Sequence, residues 1–340
     1  MDKQEIVRLF LSRGFQLSSN AIKTVEQDPE KFLCGVEKLN PRPFIITEEH
    51  LKKVLDIEKT KKKQEVNILF KITQPKDILK PEDFIKCYSK IYEKASKILS
   101  NDKRLERLIT INKITDKTRK FSVIGMVREK EKNNLLVEDN TGELFLFNDG
   151  ASIDDVEIDD VLGFICENGD RFYLKDVVYP EIPLSKEVGK SEFDIKLFYF
   201  YKPSLIDEEL FSKIVEKIRR VKKRLIFSYG DWRDREIFRG LGDVVLISEE
   251  DKVKFLEIGG IKILTVSFDS NPISFLRKRM VKTGNPFETL VLEELPDIIL
   301  TSGKENFYKN YMGVTILNIS KKDTYFILDL KSREVEEVAI

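Results

Sequence analysis

The sequence predicts a multidomain α+β protein: a small N-terminal helical domain, a five-stranded β-barrel and a layered α/β domain. Three observations lead there. Apolar residues recur at helical spacing through about the first 60 positions, the period changes to two near Lys120, and strands alternate with helices over the last 150 or so. A chain of 340 residues, at roughly 100–200 per domain, has room for two or three such units.

Ile6, Leu9 and Phe10 share a helix face that stops at Gly14. Ser18 and Ser19 can cap a second helix carrying Ala21, Ile22 and Val25, and Pro29 opens a third with Phe32, Leu33 and Val36. After the break at Asn40-Pro-Arg-Pro43, Thr47 caps a fourth with Leu51, Val54 and Leu55, which assigns 1–58 to the helical domain. Residues 59–80 are polar and read as a solvated linker; a phosphate-binding tether through Lys61, Lys62 and Lys63 is the second reading. A helix over 81–99 then presents Phe84, Ile85, Tyr88, Ile91, Tyr92 and Ala95 on one side.

Phe121, Val123, Gly125 and Val127 share one strand face, and Leu135 and Val137 continue on the next strand. Asp139-Asn-Thr-Gly142 is a hairpin signal before strand 143–147; strands 160–166 and 171–178 follow, joined at Asn168-Gly169-Asp170. Five short strands closed by tight turns suit a Greek-key barrel of OB type, so 81–184 is the helix-plus-barrel domain. In 185–340, strand 193–201 leads to a helix with Leu210, Phe211, Ile214, Ile218 and Val221. Strands 225–229, 244–248, 254–258 and 261–267 follow, the last two joined by Gly259-Gly260; 298–301, 314–319 and 325–330 complete a layered α/β pattern.

Basic and acidic side chains balance at 59 each, so no net field draws the whole molecule to nucleic acid or a membrane. The single histidine, His50, excludes metal sites built from several imidazoles; its place within a helix suggests a surface or partly packed residue. Cys34, Cys87 and Cys166 are odd in number and far apart, which fits a reducing, cytoplasmic setting. No apolar run approaches the roughly 18 residues that span a bilayer, and no signal core opens the chain, so no membrane partner is expected.

Several segments together resemble the small (B-type) subunit of archaeal family D DNA polymerase. Leu11-Ser-Arg-Gly-Phe-Gln-Leu17 and Phe44-Ile-Ile-Thr47 look like its opening domain, and 121–139 with Thr141-Gly142 looks like its OB strands. Val177-Val-Tyr-Pro-Glu-Ile-Pro-Leu184 looks like the exit from the barrel. Gly230-Asp-Trp-Arg-Asp234 occupies the place of the family's second metal motif. Residues 293–303, followed by Tyr311-Met-Gly-Val-Thr-Ile-Leu-Asn318, match the segment that normally carries Gly-His-x-His and Tyr-Arg-Gly-Val. The resemblance implies that the last domain is a calcineurin-like phosphoesterase α/β sandwich, here truncated.

The departures bear on activity. An active phosphoesterase of this kind holds two metal ions that activate a water for in-line attack. Its first Asp-x-His should follow the strand ending near Tyr201, where the chain instead reads Lys202-Pro-Ser204. No Gly-Asn-His-Asp segment lies between Asp234 and the strand at Val244, and the earlier His-Gly position reads Ser267-Phe268. The two final histidine positions hold Lys304 and Asn306. A lysine is a cation without a lone pair at neutral pH and repels a metal. Asp231 and Asp234 are then vestigial, and neither a cofactor nor catalysis is expected.

Two basic runs remain. Lys217, Arg219, Arg220, Lys222, Lys223 and Arg224 form either a solvated helix face or a contact for phosphate or an acidic partner, and Arg277-Lys-Arg-Met-Val-Lys282, with Arg277 and Arg279, reads the same way. Arg239-Gly-Leu-Gly-Asp243 lacks the elements of a phosphate loop, and Ser204 has no nearby base. Phe145 and Phe147 could stack bases, although Glu138, Asp139, Glu143, Asp154, Asp155, Asp159 and Asp160 make that segment acidic. The expectation is a non-catalytic scaffold docking to a large catalytic DNA polymerase subunit or another replisome protein. The alternatives are a stand-alone single-stranded DNA binder acting through the barrel, or a residual metal-dependent 3′–5′ exonuclease.

Overall fold

The structure, a computed structural model, describes residues 2–63, 65–72, 80–202, 206–221, 223–229, 241, 243–247, 252–267, 271–320 and 323–339, with 57–63, 71 and 243–247 described by backbone alone. The chain divides into two compact units, Met1–Glu65 and Val66–Ile340.

In the first unit, α1 (Lys3–Ser12) starts at Asp2, whose carboxylate accepts from the Glu5 amide while the Glu5 carboxylate accepts from the Asp2 amide. Gly14 follows the helix at φ +81°, a left-handed turn that a side chain would resist. Ser18 caps α2 (Ser19–Val25), and Asp28 with Pro29 opens α3 (Pro29–Glu37). Two short strands that helical periodicity does not signal, β1 (Gln16–Leu17) and β2 (Ile45–Ile46), pair in parallel. Helix α4 (Glu48–Lys63) runs through the lysine cluster, so 59–63 is helical rather than a linker. Its Leu51 and Val54 join Ile6, Phe10, Phe15, Phe32 and Val36 in the core. His50 lies in its first turn, where Nδ1 accepts from the Thr47 amide at 3.2 Å, the reciprocal half of a cap. The lone imidazole is thus part of a helix start.

The second unit holds the barrel and a two-sheet sandwich. Its first strand, β3 (Asn67–Lys71), overturns the rest of the linker reading: it pairs antiparallel with a strand almost 190 residues away, Phe70 beside Phe255. Tertiary pairing decides this strand, whose apolar Ile68-Leu69-Phe70 core is short and set among polar and charged residues. Helix α5 (Pro81–Leu99) buries Ile91, Ala95 and Leu99 against the barrel residues Ile124, Met126 and Val161.

Strands β4 (Lys120–Glu131), β5 (Asn134–Asp139), β6 (Gly142–Asn148), β7 (Val161–Asn168) and β8 (Phe172–Val178) form a closed barrel in the order β4-β5-β6-β8-β7. The β5–β6 turn is built as the sequence suggests: Asp139 Oδ1 accepts from the Thr141 amide at 2.7 Å and the Gly142 amide at 3.0 Å. Phe121, Val123, Leu135, Val137, Leu144, Leu146 and Phe164 fill the interior.

The sandwich is assembled from β9 (Lys196–Tyr201), α6 (Glu208–Arg219), β10 (Arg224–Tyr229), β11 (Asp243–Ile247), β12 (Val253–Ile258), β13 (Ile261–Val266), α7 (Pro272–Lys278), β14 (Met280–Val281), β15 (Leu290–Val291), β16 (Ile298–Ser302), β17 (Phe307–Tyr311), β18 (Val314–Ile319), β19 (Thr324–Asp329) and β20 (Val335–Ala339). One sheet has the order β11-β10-β9-β19-β20 and the other β17-β18-β16-β13-β12-β3. Leu197, Tyr199, Leu225 and Phe227 of the first sheet meet Ile263, Ile298, Leu300 and Leu317 of the second. The near-continuous apolar strands follow from burial on both faces, because α6 covers the outside of the first sheet through Phe211, Ile214 and Ile218. The architecture is mixed α/β.

Candidate functional site

In layered α/β folds chemistry gathers where parallel strands end, since side chains from several strands converge there. Strands β9, β10 and β11 are mutually parallel, as are β13, β16 and β18. Two hydrogen bonds show that both sets end at one rim. The Tyr229 hydroxyl, closing β10, donates to the Ser267 carbonyl just past β13 at 3.0 Å, and the Tyr199 hydroxyl of β9 donates to the Thr301 carbonyl of β16 at 3.0 Å.

Among the described residues, most of the rim contacts join neutral groups, with the Lys202 ammonium 5.6 Å from the Tyr201 ring. Tyr201 and Tyr229 stack with centroids 5.5 Å apart and planes 6° from parallel. Behind them the Thr301 hydroxyl donates to Asn318 Oδ1 at 2.7 Å, and Asn318 Nδ2 donates to the Glu305 carbonyl at 2.6 Å. Asn306 Oδ1 accepts from the Ser320 amide at 2.7 Å, while its Nδ2 donates to the Thr324 hydroxyl. Burial drives the Tyr199 phenol well above its ordinary pKa, so it stays a protonated donor.

Among the described residues, the groups at this rim do not themselves assemble a two-metal centre. The one oxygen Asn306 could offer already accepts from Ser320, Lys304 is an exposed cation, and the stacked tyrosines occupy the ends of two central strands. Among the described residues no group of three or more His, Cys, Asp and Glu could hold a metal ion. Asp231, Asp234, Ser204 and Phe268 lie outside the described residues, as does Lys222; the side chains of Lys61, Lys62 and Lys63 also lie outside them.

The second basic run is placed differently from its sequence reading. Arg277 reaches Asp155 at 2.6 Å and Glu181 at 3.2 Å, with its guanidinium 3.9 Å from the centroid of Tyr179. Lys278, only 5% exposed, sits 2.8 Å from both Glu157 and the buried Asp160, and Lys282 approaches Asp160 at 2.5 Å. The acidic loop 154–160 and the basic run thus neutralise each other across the seam between barrel and sandwich. Pairing decides the charge state: burial alone would raise Glu157, yet Lys278 and Lys282 hold it below the ordinary carboxylate value. Arg279 is buried and donates to the carbonyls of Leu292 and Glu293. Arg277 is thus answered by carboxylates of the same unit, and Arg279 by two carbonyls rather than a carboxylate. Arg219 and Arg220, by contrast, are exposed at the end of α6, and Lys223 is half-buried beside them.

On the outer face of the barrel, Phe145 is 37% exposed and stands edge-on to Phe147, centroids 5.0 Å apart. The Arg171 guanidinium lies 4.5 Å from the Phe147 ring, and Tyr173 pairs across from Phe147. Phe145 and Phe147 alternate along β6 with the buried Leu144 and Leu146; the turn that brings Arg171 over Phe147 has no signal in strand periodicity. Lys175 on the same face is answered by Asp149 at 2.5 Å and Glu167 at 3.2 Å.

No protein-family model and no curated protein matches the sequence. Solved structures resemble part of the chain. A single-mutant Vps29 from Entamoeba histolytica aligns over 43% of this chain and 99% of its own at 12% identity, TM-score 0.30. Vps29 from Chaetomium thermophilum aligns over 43% and 97% at 11% identity, TM-score 0.30. A predicted phosphoesterase from Streptococcus pneumoniae aligns over 43% and 97% at 15% identity, TM-score 0.26.

Proposed function

We propose that the chain is a non-catalytic accessory subunit of an archaeal DNA polymerase or replisome assembly. In this reading it is akin to the family D small subunit, with an OB-type barrel and a calcineurin-like sandwich that has kept its sheets and lost its two-metal chemistry. The observation that supports the reading is the strand-end rim, where, among the described residues, stacked tyrosines and hydrogen-bonded Thr, Asn and Ser side chains gather. A rim of this kind stabilises the strand ends; each such bond contributes on the order of 1 kcal/mol. The charged seam adds support, since it makes barrel and sandwich one platform against which a larger protein can dock. No helix among the described residues is long and apolar enough to cross a membrane, and the three free cysteines suit an intracellular assembly.

The test is affinity purification of the tagged chain from its native host. A large polymerase subunit or another replisome protein should co-purify in stoichiometric amount; recovery of the chain alone would contradict the reading.

The pairing of Phe145 with Phe147 under Arg171 favours one second reading, single-stranded DNA binding on the barrel face. It predicts anisotropy changes with an oligo-dT probe that fall steeply with salt and with Phe145→Ala or Phe147→Ala. An oligonucleotide that does not bind at low salt would exclude it.

A further inference from the structure

The second unit contains a cavity of about 850 Å³ between the end of α5, the segment 180–184 leaving the barrel, and Arg279. That volume lies within the range of built ligand sites, roughly 300–1,000 Å³. Its charge is unbalanced: Lys94, Lys97, Lys103, Arg104 and Arg279 line it against three carboxylates, Asp102, Glu181 and Glu293. Each of those carboxylates is already engaged, Asp102 by Arg104, Glu181 by Arg277 and Glu293 by Lys94. Lys97 and Lys103 make no ion pair among the described residues.

Arg279 stands out. Its side chain is held by carbonyls alone, with Nε donating to Leu292 at 2.9 Å and Nη2 to Glu293 at 2.6 Å, and no carboxylate among the described residues reaches it. A guanidinium without a counter-charge on a residue only 8% exposed is costly, and burial lowers its pKa accordingly. Its backbone is also left-handed, φ +49° and ψ +38°, a conformation that a non-glycine residue adopts at a cost. Beside the cavity Leu184 is 95% exposed, with Met312 and Ile98 nearby on the lining. A small anion would satisfy the cations and leave Leu184 in water; a chain segment with both acidic and apolar side chains would cover both.

We propose that this cavity docks an acidic, apolar-flanked segment of a partner protein. One carboxylate reaches the Arg279 guanidinium, neighbouring carboxylates meet Lys97 and Lys103, and apolar side chains pack on Leu184 and Met312. The proposal rests on the accessory-subunit reading and names the surface through which it would act.

The test uses the full chain and a displayed library of random 12-residue peptides, followed by anisotropy with the selected peptides. Selected sequences should place Asp or Glu next to Leu, Ile or Phe. The exposed-lysine variant Lys97→Glu/Lys103→Glu should weaken their binding about tenfold or more, as should Arg279→Gln, while Arg219→Glu leaves it unchanged. The lysine variant keeps the test decisive if Arg279→Gln fails to fold. Selection of nothing, selection of basic or purely apolar peptides, or affinity indifferent to the lysine variant would overturn the proposal. So would displacement of the peptide by oligo-dT, which would assign the cavity to nucleic acid. Any of these would leave the accessory role open to another surface, whereas metal-dependent cleavage of DNA by the chain would end that role and leave a peptide result standing.

Discussion

The basic runs 217–224 and 277–282 both mix lysine and arginine around a helix end, and their composition gives no reason to treat them differently. In the structure the first stays at the surface. Arg219 and Arg220 are exposed, Lys217 meets Glu336 at 3.3 Å with both side chains largely in water, and Arg224 turns back to donate to the carbonyls of Ile218, Arg219 and Val221. The second is enclosed by carboxylates from the barrel loop 154–160 and holds two folded parts together. What separates them is the charge and burial of the facing segment. A charge run therefore becomes a surface or a seam according to its tertiary neighbour.

The largest effect should come from breaking the seam. Lys278→Met leaves the buried Asp160 with Lys282 as its remaining cation, beside the Glu157 amide that donates to it, and should cost about 3 kcal/mol of stability by urea denaturation. Adding Asp160→Asn should recover part of that loss. A cost below about 1 kcal/mol would place the seam among ordinary surface pairs.

The strand-end rim offers an intermediate case. Asn318→Ala strands the Thr301 hydroxyl and the Glu305 carbonyl, and should cost about 2 kcal/mol in the same measurement. Indifference to this change would mean that the rim is not a bonded cluster.

A smaller effect follows from acid. Glu157 has a folded pKa below its ordinary 4.5, so its contribution is present above that value and lost as pH falls through the folded pKa. The urea midpoint should therefore fall between pH ~6 and pH ~3.5, by less in Glu157→Gln than in the parent chain. An equal fall in both would remove Glu157 from the account. The smallest effect is expected at the other run: Arg219→Glu/Arg220→Glu should stay within about 0.5 kcal/mol of the parent.

Much of the fold is legible in the sequence because its signals are local. Ser18, Pro29 and the Asp139-to-Gly142 turn act where they stand, and the stripe Phe211, Ile214, Ile218 meets a sheet as its spacing implies. Strand β3 is not legible, since Ile68, Leu69 and Phe70 are exposed and only pairing to β12 orders them. Lys304 and Asn306 are visible in the chain; the way Asn306 is engaged by Ser320 and Thr324 is a contact between separate elements. The same holds for Arg277 and Arg279, whose partners are distant carboxylates and carbonyls that no spacing rule connects.

The central proposal is that the strand-end rim does not perform metal-assisted phosphodiester chemistry. The most direct measurement is manganese titration of the full chain by calorimetry, paired with turnover of single-stranded DNA under the same conditions. No stoichiometric binding and no cleavage above the metal-only rate are expected. Saturable binding accompanied by cleavage that disappears in Asp231→Ala or Asp234→Ala would contradict it.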